Sequence, residues 1–117
     1  MPDTLKLSCH CGNIKLEVTS PLDEVFDCNC SICVRTGFLH WYVPPEQVKL
    51  VNYSRPVSTY AWRSVTGGQH FCPVCGIAVY RTSTQYPPPL SVNARCIEDV
   101  DISKLNIRNH DGKHLYP

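Results

Sequence analysis

Cys9-His10-Cys11-Gly12 and Cys72-Pro73-Val74-Cys75-Gly76 are the two stretches of this sequence that decide its fold. In each, the second cysteine is followed directly by glycine, which lets the backbone turn beneath a metal ion while nearby amides hydrogen-bond the thiolates. Two such half-sites form a closed tetrahedral cage of four sulfurs when the fold brings them together, and this is the usual structural zinc site. His10 lies between two ligands and is expected to face away from the metal. The ligands that we expect are Cys9, Cys11, Cys72 and Cys75.

A third cluster, Cys28-Asn29-Cys30-Ser31-Ile32-Cys33, places three cysteines in one short segment and has no equally clear partner in the sequence. Three thiolates on one Zn²⁺ leave the fourth coordination position open, which is the arrangement that catalytic zinc needs. We therefore expect Cys28, Cys30 and Cys33 to hold a second zinc ion, which gives two zinc ions per chain.

A disulfide framework is the alternative, because the eight cysteines form an even number. Cysteines two residues apart, such as Cys9 and Cys11, form only strained and uncommon bridges. The chain begins Met1-Pro2-Asp3-Thr4, without a basic and apolar leader, so we expect a reducing compartment: the cytoplasm, with the nucleus as a second location. The remaining cysteine, Cys96, is expected to be a small buried residue near a strand end. A role for Cys96 as a further ligand or a reactive thiol is the alternative.

Length and charge limit the kinds of function that are compatible with the chain. With 117 residues it is expected to form one domain, 1–117, whose small core would gain stability from bound metal. The formal net charge of +1 argues against binding to nucleic acid or a membrane surface by electrostatic attraction. No apolar run in the sequence reaches the length of a membrane-spanning helix.

The periodicity of apolar residues is that of strands. Alternation on both sides of Cys11-Gly12-Asn13 predicts a hairpin with the first half-site at its turn. The alternating residues are Leu5, Leu7, Cys9, Ile14, Leu16 and Val18. The other predicted strands are Phe38 to Val43, Gln47 to Val51, Ser58 to Ser64, Gln69 to Phe71, Gly76 to Thr82 and Leu90 to Ala94. Single helical turns are predicted from Ser31 to Thr36 and from Val100 to Leu105, so the predicted fold class is all-β with very little helix.

The order of the three cysteine motifs resembles that of the glutathione-dependent formaldehyde-activating enzyme and centromere protein V family. The likeness runs from Ser8-Cys9-His10-Cys11-Gly12 to Asn109-His110-Asp111-Gly112-Lys113, and the segment from Phe26 to Cys33 is similar to the centromere protein V branch. The resemblance implies an Mss4-like fold of packed antiparallel sheets stapled by zinc. It also implies a structural zinc on the four-cysteine set and a catalytic zinc on the three-cysteine set.

The same resemblance implies a carbon–sulfur lyase that acts on glutathione adducts by forming or cleaving S-hydroxymethylglutathione. A thiol at the open zinc position would be held as a thiolate at neutral pH, which is a better nucleophile than the free thiol. The alternative is a non-catalytic, zinc-stabilised interaction module of the centromere protein V type. The nucleic-acid role of that protein involves a long basic extension, whereas this sequence begins with its first strand. We therefore expect glutathione or a glutathione conjugate as the partner.

Other candidate residues each have two interpretations. Arg35 could bind a carboxylate of glutathione or lie on a solvated turn. His70 could be a general acid/base, a partner of a metal ligand or a hydrogen-bonded strand residue. Trp41 and Tyr42 are adjacent on a predicted strand and should face opposite ways, with at least one in the core. Asn29 stands where many relatives carry histidine, which removes one proton carrier from the three-cysteine cluster.

Overall fold

The computed structural model describes residues 3–61, 67–83 and 89–115 of the chain. Strands dominate these residues, which confirms the predicted all-β class. The strands of the described residues are β1 (Thr4–Ser8), β2 (Lys15–Thr19), β3 (Val25–Cys28), β4 (Leu39–Tyr42), β5 (Val48–Asn52), β6 (Ser58–Tyr60), β7 (Gly67–Phe71), β8 (Ala78–Ser83), β9 (Leu90–Asn93) and β10 (Ile107–His110).

Helix is limited to short turns. The α-helices of the described residues are α1 (Cys33–Thr36) and α2 (Gly112–Leu115), and the 3₁₀ turns are Pro45–Gln47, Ala94–Cys96 and Ile102–Lys104. The sequence predicts helical turns near α1 and near Ile102–Lys104, and both are present over fewer residues. No helix in the described part of the chain is long and apolar enough to cross a membrane.

The strands form two sheets. The smaller sheet has the order β1-β2-β5, and the larger has the order β10-β3-β4-β9-β8-β7-β6. All neighbouring strands are antiparallel except β10 and β3, which run parallel. The sheets are thus antiparallel as expected, apart from this one parallel pair at an edge. In the chain β3 is followed by β4, its antiparallel neighbour, whereas β10 comes from the C-terminal part of the chain and runs in the same direction as β3.

Burial explains why the alternating segments form these strands. Leu7, Leu16 and Val18 of the smaller sheet share one core with Trp41 and Val92 of the larger sheet. Trp41 is 1% exposed and its indole nitrogen donates to the Pro21 carbonyl. Tyr42 points to the opposite face of β4 and contacts the ring of Phe26 at 5.3 Å. The expected division between Trp41 and Tyr42 is thus confirmed.

The remaining differences between prediction and structure have local causes. The strand predicted from Ser58 to Ser64 begins as β6, and its residues 62–64 lie outside the described part of the chain. The pattern of apolar residues in the sequence does not predict β3 or β10. β3 is only four residues long, and β10 (Ile-Arg-Asn-His) is mostly exposed and lacks apolar alternation. Both strands flank the three-cysteine cluster, so they matter for the site.

Candidate metal centres

The four-cysteine cluster is assembled from two turns that lie far apart in the sequence. The Sγ atoms of Cys9, Cys11, Cys72 and Cys75 all lie within 4.8 Å of one another. Cys11 Sγ is 3.7 Å from Cys9 Sγ and 3.6 Å from Cys72 Sγ. Zinc–sulfur bonds of about 2.3 Å place the sulfurs of a tetrahedron about 3.8 Å apart, so this set fits Zn²⁺.

The turns take this shape because glycine and backbone amides permit it. Gly12 and Gly76 have φ angles of 83° and 80°, which side chains other than glycine rarely adopt. The Ile14 amide donates to Cys9 Sγ and the Val74 amide to Cys72 Sγ, both at 3.3 Å. The predicted hairpin between β1 and β2 is present, with the first half-site at its turn.

Asn13 links the closed cluster to a neighbouring loop. Its side-chain nitrogen donates to Cys72 Sγ at 3.5 Å, and its Oδ1 accepts from the amides of Ser54 and Arg55 at 3.0 Å. Burial raises the pKa of Cys72, but the hydrogen bonds from the amides of Cys75 and Val74 and from the side chains of Asn13 and Cys11 together lower it to about 6. These donors therefore favour the thiolate form that a metal requires.

The three-cysteine cluster is local in sequence. The Sγ atoms of Cys28, Cys30 and Cys33 lie within 4.8 Å of one another. Among the described residues, no further cysteine, histidine, aspartate or glutamate ligand atom joins them within that distance. A soft thiolate set suits zinc, and the three ligands leave one position open. Cys28 ends β3 and Cys33 begins α1, so the cluster occupies the turn between these elements.

Hydrogen bonds within the turn tune Cys30. The Cys33 thiol and the amides of Cys33 and Ile32 lower the pKa of Cys30 to about 5, against the effect of burial. The bond to Cys30 and burial raise the pKa of Cys33, and the charge of Arg81 opposes this rise. Cys30 is thus the most readily ionised thiol of the turn, and the positive charge of Arg81 stabilises the ionised form of Cys33.

Asn29 connects the turn to the C-terminal segment. Its amide donates to the His110 carbonyl at 3.1 Å, its side chain donates to Asp111 at 3.0 Å, and its Oδ1 accepts from the Lys113 amide at 2.8 Å. The residue that the sequence marks as a missing proton carrier therefore has a structural role. It extends the parallel β3–β10 pairing past Cys28.

A buried polar group that the sequence did not indicate lies behind Cys33. His40 Nε2 and Arg81 Nη1 are each 3.1 Å from Cys33 Sγ. His40 Nδ1 is 2.9 Å from Ser91 Oγ, and Arg81 Nη2 donates to Gln69 Oε1. His40, Ser91 and Gln69 are 4%, 4% and 7% exposed. The one signal in the sequence is a histidine inside the predicted apolar strand from Phe38 to Val43.

The charge state of His40 follows from these neighbours. Burial, then the positive charge of Arg81 and the proximity of His110, lower the pKa of His40 to about 3, so the ring is neutral at pH 7. Arg81 Nη1 lies 3.3 Å from Nε2, and a guanidinium can only donate. The neutral ring carries one proton for two nitrogens, of which Nδ1 faces Ser91 Oγ and Nε2 faces Cys33 Sγ and Arg81 Nη1.

The other candidate residues are Arg35, His70 and His10. Arg35 is exposed and donates to the Ser31 carbonyl at 2.7 Å. His70 bonds to Thr59 and Thr82, both at 2.8 Å, and follows Gln69 in β7, so it points away from the face that carries Arg81. The hydrogen-bonded interpretation of His70 is the one that the structure supports. His10 is exposed.

All eight cysteines are free thiols in this structure. Cys96 is 8% exposed, and burial raises its pKa to about 12. Its thiol lies 3.6 Å from the Ala78 carbonyl at the end of the turn that follows β9. The prediction of a small buried residue near a strand end is confirmed.

A cavity of about 450 Å³ is lined by residues that neighbour both clusters in the sequence, such as His10 and Gly76 beside the four-cysteine set and Thr36 after Cys33. Thr36, Phe38, Gln69, Asn93 and Arg95 are among the residues that line it. Phe38 and Gln69 also contact Arg81, which donates to Cys33. The Arg95 side chain is held by a bond from Nε to the Gly37 carbonyl at 2.9 Å. The volume is within the range of small-molecule sites.

Comparison with known proteins identifies the family. The sequence profile of the glutathione-dependent formaldehyde-activating enzymes matches residues 4–111, so the chain belongs to this family. A Halomonas elongata protein whose name assigns it provisionally to these enzymes is 29% identical over 115 residues, which is 91% of this chain and 73% of that protein. The crystal structure of a Rhodobacter sphaeroides protein has the same fold, with a TM-score of 0.74 at 23% identity over 88% of this chain and 99% of that one.

Proposed function

We propose that this protein is a zinc-dependent carbon–sulfur lyase that forms or cleaves S-hydroxymethylglutathione or a related glutathione adduct. The observation that carries the proposal is the three-cysteine cluster: among the described residues, no fourth protein ligand joins its thiols. The membership of the chain in the family of glutathione-dependent formaldehyde-activating enzymes adds to this support. The four-cysteine cluster is proposed to hold the structural zinc. The closer likeness to the centromere protein V branch, the Mss4-like assignment and the cytoplasmic location stay predictions from the sequence.

The proposed reaction balances without an oxidant or reductant. A carbon–sulfur bond forms between the glutathione sulfur and the formaldehyde carbon, and the thiol proton ends on the carbonyl oxygen. Cleavage reverses both changes. Zinc held by Cys28, Cys30 and Cys33 would supply a Lewis acid that favours the thiolate form of glutathione.

The remaining contributions come from residues of the chain. Arg81 and the His40 ring fix the position of Cys33 from behind, and Asn29 fixes the turn from the side of β10. The cavity beside Phe38 suits a tripeptide-sized ligand, and Arg95 gives it a cation that matches a carboxylate. We therefore propose that a carboxylate of glutathione binds near Arg95.

The hemithioacetal also forms without an enzyme, so the test must measure a rate. Exchange NMR with ¹³C-formaldehyde and glutathione at equilibrium reports how often the adduct forms and breaks. The zinc-loaded protein should raise this exchange rate well above that of the protein-free mixture, and Cys30→Ser should abolish the increase.

Ser31→Ala is the matched control, because it changes an exposed side chain of the same turn and keeps all three thiols. It should retain the increase in rate. If the wild-type protein neither accelerates exchange nor binds glutathione, the lyase proposal is wrong and the non-catalytic interaction module becomes the better hypothesis.

A further inference from the structure

We propose that Arg81 is a positioning residue of the three-cysteine centre, whose fixed positive charge lets the metal-loaded cluster take up an anionic thiolate. The inference deepens the proposed function, on which it rests for the identity of the natural thiol. It concerns the charge of the incoming ligand and not the reaction that follows.

The electrostatic problem follows from the ligand set. Three thiolates and one Zn²⁺ carry a net charge of −1, and a fourth thiolate would bring the centre to −2. Like charges repel strongly where protein excludes water, and Cys28 and Cys33 are 5% and 1% exposed. A cation beside the cluster reduces this repulsion.

Contacts with Cys33, Gln69 and Phe38 hold the guanidinium of Arg81 beside the cluster. Nη1 donates to Cys33 Sγ at 3.1 Å, and Nη2 donates to Gln69. The guanidinium carbon lies 5.0 Å from the centre of the Phe38 ring, which is fully buried. The two hydrogen-bonding arms of the guanidinium and the Phe38 ring beneath it hold the positive charge beside Cys33.

The strand order brings this charge to the thiol. Arg81 pairs with Ser91 across β8 and β9, and also with Gln69 across β8 and β7. His40 is held by Ser91 and packs against the rings of Phe38 at 4.6 Å and Tyr42 at 5.6 Å. The His40 ring therefore packs beside Arg81, and the guanidinium of Arg81 faces Cys33.

The test compares a charged ligand with a neutral one at the same position. Cobalt(II)-substituted protein is titrated with 2-mercaptoethanol, with glutathione and with imidazole, and difference spectra in the visible range report each binding event. Arg81→Gln should weaken binding of both thiols roughly tenfold or more. Binding of imidazole, which is neutral, should change little. A residue that only maintained the shape of the site would affect both kinds of ligand alike.

Two further variants complete the design. Arg81→Lys keeps the charge, so it should preserve most of the wild-type preference for thiols over imidazole, and it serves if the glutamine variant does not fold. Arg35→Gln removes an equal charge two residues from Cys33 on the exposed side, where solvent screens it, so it should have little effect.

Unchanged thiol binding in Arg81→Gln, or parallel losses of thiol and imidazole binding, would overturn the inference. A lysine variant with as large a loss of thiol preference as the glutamine variant would also contradict it. If 2-mercaptoethanol binds in an Arg81-dependent way and glutathione does not bind at all, the proposed substrate is wrong and the role of Arg81 is supported.

Discussion

The two cysteine clusters of this protein are built in opposite ways. The four-cysteine cluster joins the turn between β1 and β2 to the turn between β7 and β8, and Cys11 and Cys72 are 61 residues apart. The amides of Ile14 and Val74, which donate to its sulfurs, are neutral dipoles. The three-cysteine cluster lies within one turn, and its buried thiol Cys33 faces a charged guanidinium.

This difference separates the contributions of the two clusters. A metal ion that joins distant segments closes a long loop of the chain, whereas a metal ion on a local cluster closes only a short one. The metal that closes the longer loop is therefore expected to contribute more to the stability of the fold. A closed set of four thiolates has no position for another ligand. A set of three has one, and a positive charge beside it favours an anion there. We therefore expect the four-cysteine cluster to stabilise the fold and the three-cysteine cluster to bind a ligand.

The largest expected effect is on stability. Cys72→Ser should lower the free energy of unfolding by more than about 4 kcal/mol or prevent folding, because it removes a ligand of the long-range cluster. Cys30→Ser should cost only about 1–2 kcal/mol. Thermal and urea unfolding of the zinc-loaded proteins provide the comparison, and Cys9→Ser should behave like Cys72→Ser. Equal destabilisation by all of these variants would show that both clusters are structural.

Metal content is the next test of the comparison. Protein purified without added metal should contain two zinc ions per chain, and Cys30→Ser should contain one. During titration with a chelator, the ion of the three-cysteine cluster should leave first, because three ligands hold it instead of four. Elemental analysis of folded protein measures each ratio. A ratio near zero would contradict both sites, and a ratio near one would contradict the second.

Ligand binding should distinguish the clusters further. Isothermal calorimetry should show glutathione binding to the wild-type protein and none to Cys30→Ser. S-Methylglutathione cannot form a thiolate, so it should bind about tenfold more weakly or worse. Binding of glutathione should release a proton, since its thiol ionises at the metal. Equal affinity for the two peptides would leave a glutathione pocket but remove the metal from recognition.

Cys96 tests whether a cysteine outside the clusters behaves differently. Burial raises its pKa to about 12, so the reactive thiolate fraction at pH 8 is on the order of one in ten thousand. Once a chelator has removed the labile ion, iodoacetamide should label the three-cysteine turn and leave Cys96 unmodified. Mass spectrometry of peptides locates the label. Rapid labelling of Cys96 in folded protein would show that this thiol is accessible.

The smallest expected effect concerns Arg95. If a carboxylate of glutathione binds near it, Arg95→Gln should weaken glutathione binding about threefold to tenfold, as the loss of one exposed charge contact does. Binding of 2-mercaptoethanol, which has no carboxylate, should be unchanged. Arg81→Gln should instead weaken the binding of both thiols. Comparison of the two variants therefore separates binding of the glutathione carboxylate from binding of the thiolate.

The sequence alone determined the cysteine sets and most of the strands. Metal half-sites are local patterns of closely spaced cysteines and glycine, and period-two alternation marks strands that bury one face, so neither depends on distant neighbours. The metal half-sites and the all-β class therefore follow from local patterns of residues. The exposed strand β10 has no such alternation, so its parallel pairing with β3 could not be predicted.

Only the tertiary structure decided what surrounds the three-cysteine turn. His40, Ser91, Arg81 and Gln69 belong to β4, β9, β8 and β7, which are neighbours in that order in the larger sheet. The sequence of one strand does not show which polar residues of other strands will lie beside its own. Strand order depends on how both sheets bury their apolar faces together. The charge beside Cys33 is a consequence of that order, whereas the thiols themselves are a consequence of the local sequence.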